Sequence, residues 1–117
     1  MRKIVIILLL LACLPLFVGV KHFKGRKVVA DYNVTGNPSP DCKCNYFLAG
    51  TYDGKPYYRR VDGAWFIWWH INEYLITDIL FEESESFWAH PSGPEILGQY
   101  NPIGSAVGTA TVSAGPH

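Results

Sequence analysis

Aromatic rings and arginines concentrate in one part of this 117-residue chain, and they are the side chains best suited to binding chemistry. Fourteen of the seventeen aromatic residues lie between Tyr46 and Tyr100. Such rings stack on sugars or anchor protein interfaces, and an arginine beside them adds charge and hydrogen bonds. The candidate ligand contacts are Trp65, Trp69, Tyr57, Tyr58 and Arg60. They predict an aromatic surface that binds a glycan or a protein.

The tryptophan-rich segment must be positioned by a β-strand. Side chains alternate across a strand, so Trp65, Ile67 and Trp69 share one face. Phe66 and Trp68 then share the other face, and both faces are apolar. Either the strand is covered on both sides, which we favour because small domains need buried aromatic area, or one face is an exposed aromatic platform.

The titratable residues do not form a catalytic pattern. The acidic residues between Asp78 and Glu85 indicate a solvated loop, because glycosidase carboxylates need a defined separation across a cleft. His70, Asp78 and Ser84 are the residue types of a triad, but no nucleophile-elbow motif accompanies them. We therefore predict no catalytic residue, no enzymatic activity and no cofactor.

Three cysteines allow several states. Cys42 and Cys44 are separated by one residue, and either a local disulfide or free thiols would fit. Cys13 follows Leu-Leu-Ala, which is similar to a bacterial lipidation site. A zinc site would require further ligands at regular spacing, so we predict no bound metal.

The amino-terminal segment predicts a membrane or export function. Met1-Arg2-Lys3 precedes the uncharged stretch Ile4–Val20, which as a helix would be about 25 Å long. An uncleaved anchor is favoured because no small-residue cleavage site follows. A cleaved signal peptide and lipidation at Cys13 are the alternatives. The predicted localisation is membrane-anchored or secreted, in the cell envelope or outside the cell.

The charged residues divide the chain into a basic amino-terminal part and an acidic remainder at about residue 30. Residues 1–30 hold six of the ten basic residues and no acid, so residues 31–117 hold four basic and ten acidic residues, a net charge of −6. An acidic domain excludes a nucleic-acid partner that is held by a basic face. The sequon Asn33-Val34-Thr35 is interpreted as a chance occurrence.

Turn residues predict an antiparallel sheet. Asp53-Gly54 and Asp62-Gly63 suit type I′ hairpin turns, and Pro91, Pro94 and Pro102 indicate loops. The predicted strands are Asn45–Thr51, Lys55–Arg60, Trp65–His70, Tyr74–Ile79, Ser86–Ala89 and residues 108–113. The fold class is therefore all-β, a small antiparallel meander that forms a barrel-like or sandwich domain after an amino-terminal apolar helix. The predicted organisation is a signal anchor or signal peptide at 1–20, a basic and proline-rich linker at 21–40, the β domain at 41–113 and a tail at 114–117.

The motif Gly50-Thr51-Tyr52-Asp53-Gly54-Lys55-Pro56-Tyr57-Tyr58, followed by Trp65-Phe66-Ile67-Trp68-Trp69 and Ile76-Thr77, resembles a small β-module of phage virion (tail) proteins and bacterial surface proteins. The resemblance extends over about Val34 to Ser113 and implies display or binding without catalysis. The apolar amino-terminal segment departs from it, since a virion protein assembled in the cytoplasm needs no anchor. This favours an exported or membrane-tethered binding module, with a structural or virion-type assembly protein of phage origin as the alternative.

Overall fold

Residues 29–92 and 94–116 are described by a computed structural model, in which eight antiparallel strands close into a barrel. The strands are β1 (Tyr32–Gly36), β2 (Cys44–Tyr52), β3 (Lys55–Arg60), β4 (Phe66–His70), β5 (Glu73–Thr77), β6 (Ser86–Ala89), β7 (Gly98–Gly104) and β8 (Ala110–Ala114). The all-β prediction is confirmed, and the barrel rather than the sandwich is formed. The predicted apolar helix lies outside the described residues. Within the described ranges, no helix has the length and apolar character needed to span a membrane.

Each strand pairs with the next one along the chain, and β8 returns to pair with β1. The closing register places Val34 opposite Val112 and Tyr32 opposite Ala114. Because the sheet closes on itself, the described strands leave no free edge of the barrel for pairing with another chain. The alternative, an assembly protein, would therefore have to associate through side chains rather than by strand pairing at a sheet edge.

Most predicted strands are found, but two were missed. The predicted bounds of β3 and β6 are those of the structure, and the strand predicted for residues 74–79 instead runs from Glu73 to Thr77. β1 lies inside the predicted linker, and β7 passes through Pro102 where a loop was expected. Pro102 is exposed and lies opposite Trp88 of β6, beyond Tyr100, the last residue of β7 that pairs with β8. The β domain therefore begins before residue 41.

Only one of the two Asp-Gly pairs forms the predicted type of turn. Asp53 and Gly54 have φ angles of 54° and 80°, as a type I′ turn requires. At the second pair only Gly63 has a positive φ, of 78°, and the turn is longer. There the Asp62 carboxylate accepts a hydrogen bond from the Ala64 N–H at 3.0 Å and also binds Arg60.

Two apolar clusters lie on opposite faces of the sheet. The interior cluster fills the barrel and includes Trp65, Ile67 and Trp88, while the outer cluster lies on the outside of β4 to β6 and includes Trp68 and Phe87. The predicted alternation along the tryptophan-rich strand is thus confirmed. A closed eight-stranded sheet encloses just enough space for side chains, which explains why large rings occupy the interior.

The barrel has two different ends, because its strands alternate in direction. The tyrosine end is formed by residues 29–31, the turns at 53–54 and 71–72, the loop between β6 and β7, and residues 115–116. The arginine end is formed by the loops at 37–43, 61–65 and 105–109, and the loop at 78–85 leaves from this end and runs along the outer face to Tyr52 and His70. These two names are used below.

The sequon asparagine stabilises the closure between β1 and β8. Asn33 is buried, and its side-chain amide donates to the carbonyl of Gly115 at 2.9 Å, with longer contacts to those of Ser113 and Pro116. The amide nitrogen to which a glycan would be attached is therefore committed to the barrel in this fold. Its interpretation as a chance sequon is supported by this structural function.

Candidate functional site

The five predicted contact residues do not form one surface. Trp65 and Arg60 are buried at the arginine end, each 6% exposed. Tyr57 belongs to the outer face, where it packs on the outer cluster. Tyr58 and Trp69 extend toward the tyrosine end, where Trp69 is only half-buried. Successive side chains of a strand alternate between the interior and the exterior of the barrel, so residues that are close in the sequence lie on different surfaces.

Arg60 closes the arginine end through a dense set of hydrogen bonds. Its guanidinium binds Asp62 in a bidentate manner, with Nε to Oδ1 at 2.8 Å and Nη2 to Oδ2 at 2.7 Å. Nη1 donates to the backbone carbonyls of Asp41 at 2.8 Å and Lys43 at 3.1 Å. Four of the five N–H donors of Arg60 are therefore used by the chain itself, which indicates a structural function here rather than the predicted ligand contact.

Electrostatics supports the same interpretation of this ion pair. Burial alone would lower the pKa of Arg60, but the hydrogen bond to Asp62 and the neighbouring negative charges raise it. Burial alone would raise the pKa of Asp62, yet the Arg60 hydrogen bond and the Ala64 N–H hold it below its ordinary value. Both groups are thus charged in the folded barrel, as a buried pair needs in order to be stable.

The other polar groups at the arginine end are also paired. The Tyr46 hydroxyl is fully buried and donates to the carbonyl of Cys42 at 2.6 Å, and the Trp88 indole N–H donates to that of Gly108 at 3.0 Å. The loops at 37–43 and 105–109 are joined by reciprocal backbone hydrogen bonds between Ser39 and Val107. This end is sealed.

Cys42 is a free, buried cysteine, so the predicted disulfide between Cys42 and Cys44 is not formed. Burial raises the pKa of the Cys42 thiol to about 12, against a smaller opposing effect of Arg60. Such a thiol is unreactive near neutral pH. Cys13, the predicted lipidation site, lies outside the described residues.

The tyrosine end has a different chemistry, centred on the half-buried Trp69. Its ring meets that of Tyr74 edge-on, with centroids 5.1 Å apart, because the two residues are directly opposite on β4 and β5. The Nζ atom of Lys55 lies 5.0 Å from the centroid of the Trp69 ring. Lys55 follows the turn at 53–54, and this turn brings its ammonium to the mouth of the barrel.

Two further tyrosines complete this aromatic group. Tyr32 is half-buried, and its ring meets that of the buried Tyr58 edge-on with centroids 4.8 Å apart. Burial, the charge of Tyr32 and a hydrogen bond to Tyr32 raise the pKa of Tyr58 to about 12. We define the tyrosine site as Tyr32, Lys55, Tyr58, Trp69 and Tyr74.

The hydroxyl of Tyr74 is a polar group of this site without a partner among the described residues. Tyr74 is 7% exposed, and its hydroxyl makes no hydrogen bond to any described residue. No fully buried side-chain oxygen or nitrogen in the described ranges lacks a partner, so this hydroxyl must open to solvent at the mouth. Burial raises its pKa, and the nearby Tyr32 adds to the effect, so it is a neutral hydroxyl that can donate and accept.

The loop between β6 and β7 is fastened beside the site. The ring of buried His90 accepts a hydrogen bond at Nδ1 from the Ser92 N–H, 2.9 Å away, and its Nε2 lies 2.8 Å from the carbonyl of Leu97. A carbonyl only accepts, so these partners assign the neutral tautomer with hydrogen on Nε2. The Tyr100 hydroxyl donates to the carbonyl of Ile96 at 2.6 Å. The site therefore has a fixed wall on this side.

Backbone strain occurs at the rim of the site. Ile71, two residues after Trp69, is 75% exposed and has a φ angle of 57°. A β-branched residue rarely adopts this left-handed conformation, and strain of this kind is concentrated at functional sites.

Tyr57 lies in a separate aromatic group on the outside of the barrel. Phe81 stacks on Tyr52 with centroids 3.9 Å apart, and it meets Tyr57 and the buried Trp68 edge-on. The neighbouring His70 lies 3.3 Å from a carboxylate oxygen of Glu83. Several of these rings are partly exposed at their edges, so this face also offers aromatic area.

Sequence reasoning missed three members of the tyrosine site. Tyr74 was placed in a strand, and a two-residue turn after His70 would have paired it with Trp69. The position of Lys55 directly after the Asp53-Gly54 turn could have indicated that it lies at the end of a strand beside the site. No sequence feature indicated Tyr32, because β1 was assigned to the linker. Within the described ranges, no group of three or more His, Cys, Asp or Glu side chains is arranged to hold a metal.

Comparisons with protein-family models, curated proteins and solved structures find no match to this chain.

Proposed function

We propose that this protein is a non-enzymatic binding module, exported or tethered to a membrane, and that its tyrosine site binds a glycan. The observation that carries the proposal is the unpaired hydroxyl of buried Tyr74 beside the half-buried Trp69 ring. A sugar ring offers C–H groups for an aromatic face and hydroxyls for hydrogen bonds, which are the two complementary features.

The recessed position of the rings favours a sugar over a protein partner. Tyr58 and Tyr74 are almost completely buried, so a flat protein surface would contact only Trp69 and Tyr32. Two half-buried rings offer far less area than the roughly 800 Å² per partner of a specific protein interface, whereas a single sugar ring can be held on them. A protein ligand that inserts one side chain is the competing outcome of the experiment below.

The ionisable groups at the mouth favour binding rather than catalysis. The Asp31 carboxylate accepts a hydrogen bond from the Leu48 N–H at 2.8 Å and is thereby committed to the backbone. The remaining groups of the tyrosine site are tyrosine hydroxyls and the Lys55 ammonium. Hydroxyls with raised pKa values are neutral hydrogen-bonding groups rather than bases near pH 7.

The membrane part of the proposal rests on Ile4–Val20, which lies outside the described residues. Cell fractionation combined with intact-mass measurement tests it directly. A membrane fraction with the full mass supports an anchor, and a secreted, shortened chain supports a cleaved signal. An intact chain found in the soluble cytoplasmic fraction would contradict both.

The binding proposal is tested with the full chain, purified in detergent, on a glycan array and then by calorimetry. We expect Trp69→Ala to abolish the array signal of the wild type. Val107→Ala is the matched control, because Val107 is exposed at the arginine end. Equal glycan binding by wild type and Trp69→Ala, or no binding by the wild type, would exclude the tyrosine site as a glycan site.

A second candidate function is structural assembly, which the outer aromatic face favours. Tyr52, Tyr57, Phe66 and Phe81 are incompletely buried on one side of the barrel. Such a face would associate through side chains, since the strands of the closed barrel are already paired. Light scattering distinguishes this candidate: a monomer at high concentration contradicts self-assembly, whereas an oligomer that Phe81→Ser dissociates supports it.

A further inference from the structure

We infer that the glycan is acidic, a sugar that carries a carboxylate, and that Lys55 is the residue that selects it. This inference rests on the proposed function and specifies the ligand class of the same site. The Lys55 ammonium has no ion-pair partner among the described residues.

Lys55 differs from the other cations of this acidic domain in being half-buried without an ion pair. Lys43 and Arg59 also make no ion pair with a described residue, but both are exposed. Residues 31–117 carry ten acids and four basic residues, and one of these four, Arg60, is fully paired with Asp62. The Lys55 ammonium makes no ion pair with any described residue, although acids are in excess. It lies instead against the Trp69 ring. A cation kept at a half-buried site without an anionic partner is suited to an external anion.

The acidic residues near the tyrosine site do not pair with the Lys55 ammonium in the described structure. Asp31 is held by the Leu48 N–H. Asp53 is an exposed residue of the turn that precedes Lys55, and Glu73 is half-exposed next to Tyr74. None of the three forms an ion pair with Lys55. These carboxylates weaken the attraction of any anion, so an acidic sugar would be preferred only if its carboxylate contacts the Lys55 ammonium directly.

The present contact between Lys55 and Trp69 indicates how binding would proceed. A cation over an indole face is held weakly when it is partly solvated, and the lysine stem has several rotatable bonds. The sugar ring would replace the ammonium on the Trp69 face, and the displaced ammonium would pair with the sugar carboxylate. The Tyr74 hydroxyl would bind a ring hydroxyl. A cationic ligand, by contrast, would be repelled by Lys55.

The test compares two ligands that differ only in charge. Oligogalacturonates and oligoglucuronates are titrated into the full chain in detergent, and so are their methyl esters, which keep the size and remove the charge. We expect the wild type to bind at least one acid form roughly three- to fivefold more tightly than its ester, as for a partly solvated ion pair. The preference should decrease with added salt.

Two variants assign the preference to Lys55. Lys55→Met keeps most of the apolar stem and removes the charge, so it should bind acid and ester with equal affinity. Lys43→Met, at the arginine end, is the matched control and should keep the preference.

The outcomes separate the two proposals. Equal binding of acid and ester by the wild type, or a preference that survives in Lys55→Met, overturns the selection by Lys55 and leaves glycan binding in place. A chain with native circular dichroism that binds other glycans on the array but neither acid nor ester overturns the acidic class. A chain that binds no glycan at all overturns both proposals.

Discussion

The two ends of the barrel treat their buried polar groups in opposite ways. At the arginine end, Arg60, Tyr46 and Trp88 all hydrogen-bond to the chain itself. At the tyrosine end, the loop beside the site is fastened by His90 and Tyr100, but the Tyr74 hydroxyl and the Lys55 ammonium have no hydrogen-bond or ion-pair partner among the described residues. The same kinds of residue thus stabilise one end and leave binding groups available at the other.

Stability and binding therefore depend on different ends of the barrel. A buried polar group that is paired within the chain contributes to folding, whereas a group that is open to water contributes little to folding and is available to a ligand. Substitutions at the arginine end should therefore affect unfolding, and those at the tyrosine end should affect binding.

The largest effect is expected for Arg60→Ala. Removing the guanidinium leaves the Asp62 carboxylate and two backbone carbonyls without their donor, so unfolding free energy should fall by about 3–5 kcal/mol. Chemical denaturation measures this loss. Arg59→Ala is the matched control, because Arg59 is exposed on the same strand and should change stability by about 0.5 kcal/mol or less. Similar losses for both variants would contradict the sealing function of Arg60.

The second-largest effect is expected at low pH, where protonation of Asp62 at the arginine end should lower the free energy of unfolding. The pKa of Asp62 is lowered in the folded chain from its ordinary value of 3.8, so its stabilisation is fully present above about pH 4 and is lost as the pH falls through the lower, folded value. Denaturation between pH 5 and pH 2.5 should show a stability loss that is smaller in Asp62→Asn. An identical pH dependence in this variant would exclude Asp62 as a source of the acid sensitivity.

The two ends can be compared directly by removing one tyrosine hydroxyl at each end and measuring the change in unfolding free energy. Tyr46→Phe removes a buried hydrogen bond to the Cys42 carbonyl and should cost about 1–2 kcal/mol of unfolding free energy. Tyr74→Phe removes an unpaired hydroxyl and should change stability by less than about 0.5 kcal/mol while weakening glycan binding. Denaturation and calorimetry on both variants measure the contrast. A stability loss for Tyr74→Phe equal to that of Tyr46→Phe would show that the ends do not differ.

The smallest effect is expected at the rim of the tyrosine end. Ile71 is a β-branched residue at a positive φ, and asparagine tolerates that backbone conformation better. Ile71→Asn should therefore raise the melting temperature slightly, with a gain of about 0.5–1 kcal/mol. Thermal unfolding with Leu97→Asn as the exposed control on the neighbouring loop provides the measurement. A lower melting temperature for Ile71→Asn alone would mean that the Ile71 side chain is stabilising.

Local sequence patterns predicted much of the sheet because they depend on neighbouring residues only. Asp53-Gly54 predicted its turn, and alternation separated Ile67 from Trp68, with one inside the barrel and the other outside. β1 and β7 were missed because they are polar or contain proline and become strands through their partners. Their partner β8 hydrogen-bonds both of them and closes the barrel.

Local sequence patterns set which residues alternate, where the main turns fall and that the domain is all-β. The closed barrel is needed to place Arg60 and Trp65 at a sealed end and to extend Tyr58 and Trp69 to the opposite one. It also joined Tyr32, from an unrecognised strand, to Tyr74. The physical reason is closure: pairing Tyr32 with Ala114 fixes a register between residues 82 positions apart, and no local pattern encodes that register.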